Sequence, residues 1–123
     1  MPTLIRTTPV LRIFDEAKAR EFYIGFLGFQ ADFEHRFGDG FPLYMSVSSG
    51  GCVLHLSEHH GDACPGSAVR IESDDVAGLC AELSGRDYRY AKPGSPAAMP
   101  WGTLEITITD PFGNRLTFHQ PRG

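Results

Sequence analysis

Between Cys52 and Cys64 the chain gathers His55, Glu58, His59, His60 and Asp62. Imidazole, carboxylate and thiolate are the side chains that ligate transition metals, and a Cys–His pair can supply a thiol nucleophile and its base. The spacing argues against both chemistries. Cys52 and His55 are three residues apart in CVLHLS, a segment composed like a strand, so the two side chains point to opposite faces. Glu58, His59, His60, Asp62 and Cys64 share their run with Gly61, Pro65 and Gly66, the composition of a solvated loop. GxSxG, P-loop and GxGxxG motifs are all missing. His55 keeps two readings: a groove-lining imidazole bonded to a neighbour, or a general base or ligand contact.

Two further residues stand out. Trp101, the only tryptophan, lies between Pro100 and Gly102, where a short restricted loop leads into a strand. A large aromatic held this way can stack on a flat ligand or pack on its own hairpin. In the following strand Leu104, Ile106 and Ile108 alternate with Glu105, Thr107 and Thr109. Glu105 thus falls on the face opposite the packed one, as a cleft carboxylate or a solvated edge charge. A carboxylate beside an aromatic would suit a flat cationic ligand. Phe33, Phe37, Phe41 and Tyr44 lie in an earlier hairpin region, and most of them are expected in the core.

The elements that must position these residues occur twice. TPVLRIF reads as a strand, Asp15 as a helix N-cap, and Ala19, Phe22, Tyr23 and Phe26 as one helix face ended by Gly28. Strands follow around 30–36, 41–48 and 52–57, with Ser49-Gly50-Gly51 as a turn. SAVRIES then repeats the strand, and Asp74 or Asp75 caps a helix with Val76, Leu79, Cys80 and Leu83 on one face and Gly85 as its stop. Strands near 88–91, 104–109 and 115–119 complete the second half, with Asp110-Pro111-Phe112-Gly113-Asn114 as the last turn.

The fold class is therefore α+β. Paired βαβββ modules, about 1–60 and 66–121 of a single domain 1–123, form a curved mixed sheet around a cleft with helices on the outer face. Alternation sends Leu11, Ile13, Leu54, Leu56, Val69, Ile71, Leu116 and Phe118 to the helix side. It leaves Thr8, Val10, Arg12, His55, Ala68, Arg70, Glu72, Arg115, Thr117 and His119 on the open face. Superposing VLHL on RLTF makes His55 and Thr117 equivalent, with Thr8 and Ala68 as the other equivalent pair.

The bounds agree with a small globular protein. The chain has 123 residues, 41% hydrophobic and 21% charged, with a formal net charge of −4. That charge disfavours a nucleic-acid partner and weakly favours a cationic one. No apolar run reaches membrane-spanning length and the N-terminus lacks the apolar stretch of a secretory signal. Three cysteines without a CxxC pair point to free thiols and a cytoplasmic location.

PVLRIFD…FYIGFLGF followed by DPFGNRLTF resembles the vicinal oxygen chelate superfamily, which includes glyoxalases, extradiol dioxygenases and bleomycin-resistance proteins. The added Pro100-Trp101-Gly102 is most similar to the bleomycin-resistance branch. The resemblance implies paired βαβββ modules and a homodimer with clefts at the subunit interface. It implies that Trp101 contacts a ligand, with Phe33 beside it, and strand parity adds Glu105 and His55 to that cleft. It places the family's four metal positions at Thr8, His55, Ala68 (or Ser67) and Thr117. Only His55 is an ordinary metal ligand, and one imidazole cannot hold a transition metal against water. The expectation is therefore a small-molecule binding and sequestering protein without metal, cofactor or catalytic residue. Its ligand would be a small aromatic or cationic compound, with a bleomycin-type glycopeptide as the candidate. The competing expectation is a glyoxalase-type lyase or dioxygenase with an atypical ligand set. Pro9 gives up a ladder donor, which fits the start of a strand, and the resemblance implies that a proline there accompanies an N-terminal arm crossing to a partner.

Overall fold

The structure, a computed structural model, describes residues 1–122. Strand β1 (Val10–Arg12) leads into α1 (Glu16–Arg20), whose N-cap Asp15 accepts a bond from the Lys18 amide at 2.9 Å. The helix continues as a π-helical segment, Glu21–Phe26, in which the Leu27 amide bonds back to the Phe22 carbonyl. Phe22, Tyr23 and Phe26 are all buried on it. Gly28 ends the segment at φ +80°, a conformation that glycine alone adopts freely. Three strands follow: β2 (Gln30–His35), β3 (Tyr44–Ser49) and β4 (Cys52–Ser57).

The second half repeats this order. Strand β5 (Ala68–Glu72) precedes α2 (Val76–Ser84), capped by Asp75 rather than Asp74. Strands β6 (Ala97–Ala98), β7 (Thr103–Thr109) and β8 (Arg115–Pro121) complete it. Each half builds a four-stranded sheet, in the orders β1-β4-β3-β2 and β5-β8-β7-β6. The first strand pairs parallel with the last in both, and the other pairs are antiparallel. Opposite-hand pairings within one sheet make both sheets mixed, as expected for the α+β architecture of paired βαβββ modules.

Two expectations need correction. No strand forms at Tyr88–Ala91. The Tyr88 ring is buried and stacks on Phe26 with centroids 4.6 Å apart, which holds that segment against the helix side. Pro93 and Pro96 then withhold ladder donors, and pairing resumes only at Ala97–Ala98. The other correction concerns the aromatics after β1. Phe33 is 48% exposed, and Phe37 and Phe41 are exposed as well. Strand β2 is the edge of its sheet with all six residues exposed, and the chain after it is not paired until Tyr44.

The helix-side faces of both sheets enter one core. Leu11, Ile13, Leu54 and Leu56 from the first half join Ile106, Ile108, Leu116 and Phe118 from the second, with Phe22, Tyr23, Phe26, Val76 and Leu83 from the helices. A buried polar knot sews the halves together. Asp110 accepts from the Tyr23 hydroxyl at 2.6 Å and from the Phe112 and Asn114 amides, and the Asn114 side chain donates to Asp110 and to the Arg12 carbonyl. Burial, with the Asp110 charge beside it, pushes the Tyr23 hydroxyl far above its ordinary pKa, so it stays a donor. Since both helix faces point into this core, the open faces of the two sheets look outward from it.

Candidate functional site

The second sheet's open face carries a carboxylate at its centre. Strand β7 is antiparallel to β8 with Glu105 opposite His119, and its alternation puts Ile106 and Ile108 in the core and Glu105 on the other side. Glu105 is nevertheless covered, its side chain only 4% exposed. One of its oxygens, Oε2, accepts three bonds: from Arg70 Nη2 at 2.6 Å, from the Thr103 hydroxyl at 2.6 Å and from the Trp101 indole Nε1 at 3.0 Å. Arg70 Nη1 lies 3.4 Å from the other oxygen. The Arg70 guanidinium foremost, with the Thr103 hydroxyl and the Trp101 indole, holds this carboxyl at about 2, well below the usual range, although desolvation opposes them.

Trp101 itself sits on a tight turn. The Gly102 amide bonds to the Met99 carbonyl and the Met99 amide to the Thr103 carbonyl, with Gly102 at φ +95°. The ring is 66% exposed while its N–H is tied to Glu105. An aromatic face open to solvent and fixed at one edge is a preorganised stacking surface.

The first sheet's open face gathers a different set. His55 Nδ1 lies 2.7 Å from the Tyr44 hydroxyl, its diagonal neighbour across β3 and β4. Phe33 meets the His55 ring edge-on at 5.5 Å between centroids and lies nearly parallel to Tyr44. A register shift between Ala31 and Phe33 inserts Asp32 as an extra residue, and its carboxylate accepts from the Ser46 and Ser48 hydroxyls. The structure thus brings Trp101 to Glu105 and Phe33 to His55, on separate sheets.

Sequence reasoning placed Arg70 on the open face but did not connect it with Glu105. The two lie on strands separated by β8, and only a paired register brings a long guanidinium over that gap. Thr103, two residues before Glu105 on the same face of β7, and Tyr44, diagonal to His55 across the paired β3 and β4, were also missed as partners. Opposite charges on the open face of one sheet, two strands apart, are the signal that could have joined Arg70 to Glu105.

The positions that hold metal in the wider family do not fit one here. Ala68 offers no donor, Thr8 lies ahead of β1, and the Thr117 hydroxyl is bonded to Thr107 at 2.9 Å. Among the described residues no three His, Cys, Asp or Glu side chains come together in a metal-binding group. Cys52 is half-buried, and burial pushes its thiol pKa up, away from the reactive thiolate.

Where the two halves adjoin, clefts of about 490 and 420 Å³ open beside the start of β4. The larger is lined by Thr7 and Pro9 of the N-terminal arm, by Cys52, Val53 and Leu54 of β4, and by Val69–Glu72 of β5.

A family model described as "Glyoxalase superfamily protein" matches residues 3–122, and the chain belongs to that superfamily. Solved structures share the fold. A bleomycin-binding protein complexed with bleomycin is 22% identical, with 97% of this chain and 100% of that one covered and a TM-score of 0.74. An antibiotic binding protein from Streptomyces sp. CB03234 is 23% identical over 98% of both chains, with a TM-score of 0.75. A bleomycin-binding protein from bleomycin-producing Streptomyces verticillus, complexed with copper(II)-bleomycin, is 28% identical over 100% of this chain and 99% of that one, with a TM-score of 0.72. No curated protein matches the chain by sequence. No helix among the described residues is long and apolar enough to cross a membrane.

Proposed function

We propose that this protein binds and sequesters a flat aromatic small molecule without changing it chemically. The observation that carries this reading is Trp101, whose ring is two-thirds exposed yet tethered through its N–H to a carboxylate that is itself fixed. The ligands of the bleomycin- and antibiotic-binding neighbours make a glycopeptide of the bleomycin type the first candidate. Trp101 and Phe33 are the stacking residues in this reading, His55 lines the groove and Glu105 holds the tryptophan. The lack of a fitting donor set at Thr8, His55, Ala68 and Thr117 favours binding over metal-assisted turnover. The three free thiols suit a cytoplasmic setting.

The groove in this reading forms between two copies of the chain. The exposed faces of Phe33 and Trp101 lie on different sheets that share one core, so a second copy is the means of setting one opposite the other. The N-terminal arm supports this. Leu4 and Ile5 are exposed, and residues 1–9 belong to no strand. β5 is a sheet edge, and the first half of β4, ahead of its pairing with Pro9 and β1, borders the larger cleft. An extended arm from a partner would cover both apolar residues and supply ladder bonds to those edges. Light scattering at micromolar concentration tests the dimer, where a monomer mass refutes it. Titration with bleomycin-type glycopeptides and smaller aromatic compounds, read by Trp101 fluorescence, tests the binding. A ligand that binds without changing Trp101 emission, and binds Trp101→Ala equally well, refutes the site.

A further inference from the structure

We propose that the Trp101 platform takes an aromatic group bearing an anion, such as a carboxylate or phenolate, which seats on Arg70. The inference rests on the sequestering reading above and adds the charge of the bound group. It starts from the unequal cover of one ion pair. The Glu105 side chain is 4% exposed and that of Arg70 is 52% exposed. Glu105 Oε2 already accepts from Arg70, Thr103 and Trp101, and Oε1 keeps only the long contact to Arg70 Nη1. Cover rather than lone-pair count keeps a cationic ligand from that second oxygen.

Arg70 is placed the other way. A guanidinium has five N–H donors in a planar fork, and Glu105 engages one edge of it. The remaining donors face away from the carboxylate. Because Arg70 Nη2 and Trp101 Nε1 share the one oxygen, the guanidinium and the indole edge lie side by side. A ring stacked on Trp101 therefore carries its substituent to the guanidinium. An oxyanion there gains charge-assisted bonds, and an ammonium meets a like charge.

The surrounding charges offset one another. Arg115 is exposed on the same face, in register with Ala68, and no carboxylate among the described residues pairs with it. Glu72 lies on that face too, two residues from Arg70 on β5 and about 7 Å along the strand, so it opposes Arg115 and leaves the choice of charge to the unused donors of Arg70. Asp32, a carboxylate of the other open face already bonded to Ser46 and Ser48, is on the first sheet.

The test uses two matched probes on the full chain at neutral pH, 2-naphthoate and 2-naphthylmethylammonium, titrated against Trp101 fluorescence. The carboxylate is expected to bind about tenfold more tightly or better, the size of one charge-assisted contact. Arg70→Met should reverse the order by uncovering Glu105, and Arg70→Met with Glu105→Gln should bring the two affinities together. Arg70→Lys should keep the preference in weaker form, and circular dichroism confirms that each variant is folded. Equal or tighter binding of the ammonium by the wild type overturns the proposal, as does an unchanged ratio in folded Arg70→Met. If a bleomycin-type glycopeptide quenches Trp101 and 2-naphthoate neither binds nor competes, the anion seat is wrong and sequestration stands. If neither the glycopeptide nor any probe perturbs Trp101, both readings fall.

Discussion

On the first sheet the open face is held by hydroxyls and an imidazole: Tyr44 with His55, and Ser46 and Ser48 with Asp32. On the second, the equivalent surface is organised by one ion pair with an indole attached to it. The strands beneath are arranged alike, with the same order and the same parallel closure. The difference teaches that a duplicated backbone fixes which residues share a face, while the side chains decide what each face can hold. His55 and Thr117 occupy equivalent places, and one bonds to a tyrosine and the other to a threonine.

The comparison can be broken most severely at the core. Phe22 is fully buried and touches Tyr23, Phe26 and Tyr88. Phe22→Ala is expected to destabilise by about 3–5 kcal/mol in chemical denaturation. Trp101 emission, a second-module probe, and far-UV circular dichroism should report one transition; two separate midpoints would mean that the modules fold independently. Next in size is the contrast between the two hairpin turns. Asp110→Ala strips partners from Tyr23, Phe112 and Asn114 and should cost about 2–4 kcal/mol. Gly51→Ala in the first module's turn meets open space at ordinary φ and should stay within about 0.5 kcal/mol, measured by the same melts.

Smaller still is the separation of binding from stability at Trp101. Trp101→Ala should weaken ligand binding by about 1–3 kcal/mol by titration and change stability by about 0.5 kcal/mol, since the ring is largely exposed. A large stability loss would show the ring packing its own hairpin. The least effect is expected from acid. Glu105 titrates at about 2 in the folded protein, below its ordinary 4.5. Its contribution to stability is thus complete above pH 4.5 and is lost as pH falls from there through about 2. Trp101 emission of the folded protein should hold steady through pH 4.5 and change only as the pH falls toward about 2, and Arg70→Met should move that change to higher pH. A wild-type transition centred at pH 4.5 or above would contradict the pairing.

Much of this was legible in the chain. The repeat, the caps at Asp15 and at Asp74 or Asp75, the glycine stops and the strand parity follow from local chemistry and a period of two or 3.6. Parity alone put Glu105, Arg70, His55 and Thr117 on the open faces. The failures came where tertiary contacts decide. Tyr88 looked like part of a strand until Phe26 took its ring, and Phe37 and Phe41 looked like core because hydrophobicity does not reveal that the chain after an edge strand stays unpaired. The link from Arg70 to Glu105 depends on register between strands far apart in sequence, which no local pattern contains.

The knot at Asp110 also governs when the chain can fold. Tyr23 waits for a partner 87 positions later, and the Arg12 carbonyl for Asn114, 102 positions later. During synthesis the first module would emerge with a buried-to-be phenol unpaired and half of its shared core missing. It can finish only when the last hairpin arrives. Closures of this length are slow, so refolding is expected on the millisecond-to-second scale of non-local topologies rather than in microseconds. Until then the apolar side of the first sheet is exposed to whatever else is in the cell.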